Sequence, residues 1–293
     1  MREAMIEHRE DLAREGLTEA LRLRKHHNFA LNEAVCPYDL AEKLGVRVYF
    51  DDSMPSMEGA YVNDGPPKII VTSLRPIGRM AYSCAHEIGH HVFGHGSHID
   101  EMMEKPDKAE KDPEEFLAEV FAGFLLMPKL AVNYGFSRRQ WSCRDCTPEQ
   151  AFVIAGWLGV GYTTLVNHMC HSLRLITFGK AKELCKVPVK AIKRDMVGKE
   201  WRENVFWVDR HWIGRPIDVQ VGDIIIAEEG LGLEGNVAEP VSVGTVRQAF
   251  KGVRPGIGRL SADDGSWAAF VRVSRREYKG WGRYRHLEDP EHE

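Results

Sequence analysis

Apolar positions in this chain follow helical spacing in some stretches and strand spacing in others, and the two kinds are punctuated by Pro and Gly. Residues 3–25 carry Met5, Ile6, Leu12, Leu17, Ala20, Leu21 and Leu23 as a stripe among charges, which predicts an amphipathic packing helix. Pro37 opens a short helix that Gly45 stops, and residues 46–50 then alternate as a strand. Two more strands, 59–62 and 68–71, flank the turn-rich run Asn63-Asp64-Gly65-Pro66-Pro67. A helix is predicted from about Ile77, just after Pro76, to about Phe93, where Gly94 can end it. Residues 96–112 are polar, acidic and aperiodic, the pattern of a surface loop. Residues 114–127 form the next clear helix, bounded by Pro113 and Pro128.

Thr147-Pro148-Glu149 supplies an N-cap and a first-turn proline for a helix through Trp157. A glycine turn at 159–163 leads to a second helix at 164–173, so the pair reads as helix-turn-helix-like. That second helix has no Arg or Lys before Arg174, so packing is preferred to DNA recognition. From Val187 the texture becomes β: 205–208, 217–221, 224–227, 241–243 and 268–273 are short apolar runs spaced as in a sandwich or barrel. The expected organisation is α+β: an N-terminal helix (1–35), a first domain with a small sheet (36–130), a helical segment (131–180) and a β-rich domain (181–293), with a frayed tail at 288–293.

Composition narrows this picture in a few places. A length of 293 residues exceeds most single cores. The hydrophobic fraction of 43% is ordinary for a globular protein, no stretch has the apolar core of a signal peptide, and none reaches membrane-spanning length. A cytoplasmic protein with no membrane partner is expected. Six cysteines are too sparse for a disulfide framework and read as thiols.

The chemistry begins at His86-Glu87-Ile88-Gly89-His90. Residues four apart share one helix face, so His86 and His90 can present two imidazoles to one metal, with Glu87 beside it as general base for a water that the cation acidifies. Alone the pattern is weak, because a chain with thirteen His produces it by chance. The 114–127 helix adds Glu115 and Glu119 one turn apart, bracketed by Ala118 and Ala122, as a third ligand and its outer partner would be placed. The sheet before the metal helix offers an edge where a peptide substrate can add by main-chain hydrogen bonds.

The segment Ala85–His90, the 25-residue interval and the run from Glu115 to Pro128 together resemble the ImmA/IrrE family of metallopeptidases. The likeness covers about residues 36–175. It extends upstream to the strand Pro66–Val71, to Leu74-Arg75-Pro76 and to Arg79-Met80-Ala81-Tyr82. It implies a zincin-like fold, His86, His90 and Glu115 as metal ligands, and Glu87 as the catalytic base. At the position of Glu119 that family commonly has Asn or Asp, so this carboxylate either orients a histidine or competes as a ligand. The resemblance further implies a regulatory endopeptidase that cleaves a helix-turn-helix, DNA-binding repressor. Zn2+ is the expected cofactor on ligand type, with Mn2+ the other candidate. The competing reading is a non-catalytic metal-binding regulator, or toxin-system component, that acts through its C-terminal domain.

Other groups carry less weight. A metzincin site would need Gly at 93 and His at 96, where the chain has Phe93 and Gly96. His91, His95 and His98 are therefore read as solvated or as outer neighbours of the metal. Tyr134 is a candidate oxyanion donor. Cys143, Cys146, His168 and His171 have spacing for a second, structural zinc site, and ordinary helix packing is preferred for them. The basic, aromatic segment 247–285 has the composition of a single-stranded nucleic-acid surface, but aromatic core with a cationic rim is the preferred reading.

Overall fold

The computed structural model describes residues 2–101, 112–212, 215–244 and 248–287. The chain divides into two compact units. Met1–Tyr134, Leu158–Val160 and Lys279–Gly282 form one, and Gly135–Trp157, Gly161–Tyr278 and Arg283–Glu293 the other.

In the first unit, α1 (Arg2–His26) and α2 (Pro37–Lys43) precede β1 (Arg47–Asp51), β2 (Met57–Val62) and β3 (Lys68–Thr72), followed by α3 (Ile77–Phe93), β4 (His98–Glu101), α4 (Pro113–Leu126) and the start of α5 (Lys129–Ser137). The sheet order is β13-β1-β3-β2-β4, its first strand, β13 (Gly280–Trp281), coming from far along the chain. β1 and β3 run parallel, whereas β2 is antiparallel to both β3 and β4. Val48, Phe50, Ile69 and Val71 are buried on alternate positions, as one covered sheet face requires.

β4 was not expected. It lies where the sequence suggested a loop, and its first residues pair with β2 as Tyr61↔His98 and Ala60↔Ile99. Four mostly polar residues carry no strand signal; the neighbouring edge of β2 supplies the hydrogen bonds that order them. The edge of β2 is therefore paired within the chain, and β4 forms that end of the sheet. The remainder of the expected loop, 102–111, lies outside the described residues.

α3 starts after Pro76 and ends at Gly94, whose φ of 70° permits the left-handed cap; its N–H reaches His90 O and His91 O. α4 is capped by Asp112, whose side chain accepts from Glu114 N. The two helices approach closely because Gly89 has no side chain: a Cβ there would lie 3.0 Å from Ala118 Cα. α1 packs on α4, and its buried Arg24 donates to the main-chain oxygens of Leu125, Ala30 and Glu33. That one side chain ties the end of α4 to the loop after α1.

The second unit opens with helices and ends with sheets. Thr147 and Gln150 cap α6 (Pro148–Leu158) reciprocally, Gln150 N donating to Thr147 Oγ1 and Thr147 N to Gln150 Oε1. The helix expected at 164–173 is instead α7 (Tyr162–Asn167) running into a π-helical turn, His168–Ser172. α8 (Phe178–Cys185) and α9 (Val189–Val197) follow, so residues where β structure was expected from 181 begin as helix. Of the strands, β5 (Val205–Val208), β6 (Ile217–Gln220), β7 (Ile224–Ala227) and β12 (Ala268–Ser274) match expected runs. β8 (Leu231–Glu234), β10 (Gln248–Gly252) and β11 (Gly256–Ala262) are additional, and β9 is Ala238–Pro240, with no strand at 241–243. They form two four-stranded sheets, β5-β7-β10-β9 and β6-β12-β11-β8. The expected tail, 288–293, lies outside the described residues.

Candidate metal centre

His86 and His90 stand one turn apart on the buried face of α3, with their Nε2 atoms 3.0 Å apart. Glu115 enters from the first turn of α4, Oε2 lying 3.3 Å from His86 Nε2 and Oε1 3.3 Å from His90 Nε2. One donor atom from each lies within 4.8 Å of the others, and this is the one such group of His, Cys, Asp or Glu among the described residues. Burial pushes the Glu115 carboxyl up, but hydrogen bonds and charge from His86 and His90 outweigh it and hold the group well below the usual carboxylate range. Two imidazole nitrogens and an ionised carboxylate aimed at one point repel one another unless a cation or proton lies between them. The donor set, two His and one Glu, fits a divalent metal.

The surrounding groups hold these three side chains. His90 Nδ1 is 2.9 Å from His95 Nδ1. Burial, with His90 as the next cause, lowers the His95 pKa, so a neutral His95 can accept the His90 Nδ1 proton and leave the His90 Nε2 lone pair facing inward. Behind His86, Glu119 Oε2 is 3.8 Å from Nδ1, and its other oxygen accepts from Tyr82 OH at 2.9 Å. Glu119 is thus outside the three-donor group, on the far side of the His86 ring. Burial, then the Glu119 charge, pushes the Tyr82 hydroxyl up, so it keeps its proton.

Glu87 is fully buried and lies against β2. A Cβ placed on Gly59 would come 2.4 Å from Glu87 Oε1, so the carboxylate occupies the space that this glycine leaves. Of the other histidines, His91 turns away to Tyr61, its Nδ1 2.8 Å from the hydroxyl. His98 instead reaches the centre from β4: its Nε2 is 2.8 Å from Glu115 Oε1, and its ring stacks on His90 at 4.7 Å and 15°. Sequence reasoning left His98 in a loop, and only the strand pairing brings it here. Tyr134 lies on α5, the next helix along.

Residues 41–159 match the IrrE N-terminal-like domain family, Peptidase_M78. The resemblance drawn from the motifs over about 36–175 is therefore shown over these residues, and His86, Glu87, His90, His98 and Glu115 all fall inside the IrrE N-terminal-like domain. The family is one of peptidases, and the three converging donors agree with a metal-dependent one. No curated protein matches the chain. Among solved structures, a Mycobacterium tuberculosis transcriptional regulator aligns at 14% identity with a TM-score of 0.35, over 53% of this chain and 46% of that one. This chain thus spans less than half the length of that structure.

The second cluster does not assemble. Cys143, Cys146, His168 and His171 are all described, yet they are not among the groups with converging donors. Cys146 is buried, and desolvation pushes its thiol up to about 11. Within the basic segment 247–285, Trp267 is buried while Phe270 and Tyr284 are exposed.

Proposed function

We propose that this chain is a zinc-dependent endopeptidase in which His86, His90 and Glu115 hold the metal and Glu87 is the general base. The observation that carries the reading is the convergence of the three donors; Glu87, next in the chain to His86, is buried with its carboxylate in the space left by Gly59. A bound zinc ion supplies Lewis acidity toward a carbonyl and makes water a better nucleophile near neutral pH. Glu87 takes the proton of the attacking water and returns it to the leaving amine. His95 keeps His90 in the tautomer that presents Nε2 to the centre.

The substrate class follows from the resemblance alone: a helix-turn-helix, DNA-binding repressor, cut by a regulatory protease in the cytoplasm. No helix among the described residues is long and apolar enough to cross a membrane. The β-rich region, 181–293, is assigned to sensing or to partner binding. The test is to incubate the zinc-loaded protein and its Glu87→Gln variant with the repressor encoded beside it. A single cleavage by the parent and none by the variant is expected. Equal cleavage by both removes Glu87 as base, and no cleavage by either, with metal bound, turns the reading toward a binding regulator.

A further inference from the structure

Gly59 leaves the space that the Glu87 carboxylate fills, so whatever holds β2 against α3 also decides where that carboxylate lies. Side chains tie the two elements at both ends of α3. At its start, Glu58 Oε2 accepts from Arg79 Nε at 2.8 Å and Oε1 from Arg75 Nε at 2.9 Å, while Arg75 also donates to Pro55 O at 2.6 Å. At its end, the Tyr61 hydroxyl is 2.8 Å from His91 Nδ1. Gly59 lies between the tied residues of β2, and Glu87 between those of α3.

Successive side chains of an unbroken strand point to opposite faces. Yet Glu58, Gly59 and Tyr61 all meet α3 or the residues leading into it. The pairing of β2 with β4 shifts register between Met57 and Gly59, which places the irregularity at Glu58. Such irregularities re-aim a side chain. At 12% and 16% exposure, the Glu58 and Arg75 side chains are shielded from the screening that weakens surface pairs.

We infer that Glu58 is a positioning residue for Glu87: clamped by Arg75 and Arg79 at the break in β2, it holds Gly59 where the Glu87 carboxylate can lodge against it. The effect on rate rests on the reading of Glu87 as general base; the placement does not.

The experiment compares the zinc-loaded full chain with Glu58→Ala, which removes both acceptor oxygens, and Glu58→Gln, which keeps one. Against the repressor encoded beside it, kcat is expected to fall about 10–100-fold in Glu58→Ala, as misplacing a catalytic group by about an ångström does, and by less in Glu58→Gln. KM, and zinc affinity measured against a chelator, are expected to stay parental. Placed in the Glu87→Gln background, Glu58→Ala is expected to add no further loss. Parental kcat in Glu58→Ala overturns the proposal, as does a full additional loss in the Glu87→Gln background or a matching fall in zinc affinity. A crystal structure of Glu58→Ala decides without substrate: the Glu87 carboxylate is expected to leave the Gly59 face, and an unmoved carboxylate overturns the proposal. If the parent does not cleave but the carboxylate moves, the peptidase reading fails and the clamp stands. Should Glu58→Ala not fold by circular dichroism, Arg79→Gln, at a side chain 54% exposed, takes its place with the same expectations.

Discussion

At Gly59 the absence of a side chain is what gives the Glu87 carboxylate its place. Because Oε1 is the end of a flexible chain, Gly59→Ala is expected to displace the carboxylate with little loss of stability. Peptide cleavage should fall by about two orders of magnitude, in the range typical for losing a general base, while zinc content stays that of the parent; a variant that cuts at the parental rate refutes the assignment. Arg24 is the opposite case, a buried cation whose burial lowers its pKa to about 10 and whose role is structural. Removing it leaves the oxygens of Leu125, Ala30 and Glu33 without this donor. Arg24→Leu should cost about 3 kcal/mol in urea unfolding and leave the metal-site groups untouched. The proximity of His86 and His90 was legible because four-residue spacing on a helix fixes it. That of His98 was not, since nothing local to His98 indicates that β2 will capture it.

At the scale of elements, α3 and α4 were readable to within a residue or two because Pro76, Gly94, Pro113 and Pro128 bracket strongly periodic runs. The failures share a cause. β4, β8 and β11 are short, polar on one face or rich in Gly, and their hydrogen bonds come from neighbours that a local pattern cannot see. α8 and α9 were absorbed into an expected β region because their apolar positions are few and Pro188 separates them. The cap on α4 matters beyond its helix, since Glu115 sits in the first turn. Asp112→Ala is expected to lower stability by about 1 kcal/mol and to weaken zinc binding in the same chelator competition. A stability loss with unchanged affinity would show that the first turn is held by α3 and not by its cap.

For the molecule as a whole, the second unit contains a pH-sensitive cluster. Asp218 accepts a two-pronged contact from Arg272 at 2.5 and 2.6 Å, with Arg285 and His286 within 3.6 Å. Burial, then the Arg285 charge, lowers His286 to about 4. Its unfolded-state pKa is about 6.5, so the unfolded chain binds a proton first. The stabilisation is complete above about pH 6.5 and is lost as pH falls toward about 4. Burial raises Asp218, but the cations outweigh it and hold it below the ordinary aspartate range, so its contribution is lost only at still lower pH. Asp223, in the same unit, is pushed up to about 6 by burial and gains stability as pH falls through much of the same range, so the difference between parent and variant carries the reading: in calorimetry a His286→Phe variant should lose less melting temperature between pH 6.5 and 4 than the parent does. An unchanged slope would place the titrating group elsewhere.

The sheet of the first unit is completed from a distance. β13 pairs with β1, Trp281 packs edge-on against Tyr49, Arg47 lies over the Trp281 ring, and Lys279 bridges to Asp51 and to Asp52, the latter 227 residues away. During synthesis the ribosome therefore delivers the helices bearing His86, His90 and Glu115 well before it delivers the strand that closes their sheet. At about 5–20 residues per second the gap lasts on the order of ten seconds or more, an interval in which β1 has an unclaimed edge and α3 rests on an unfinished sheet.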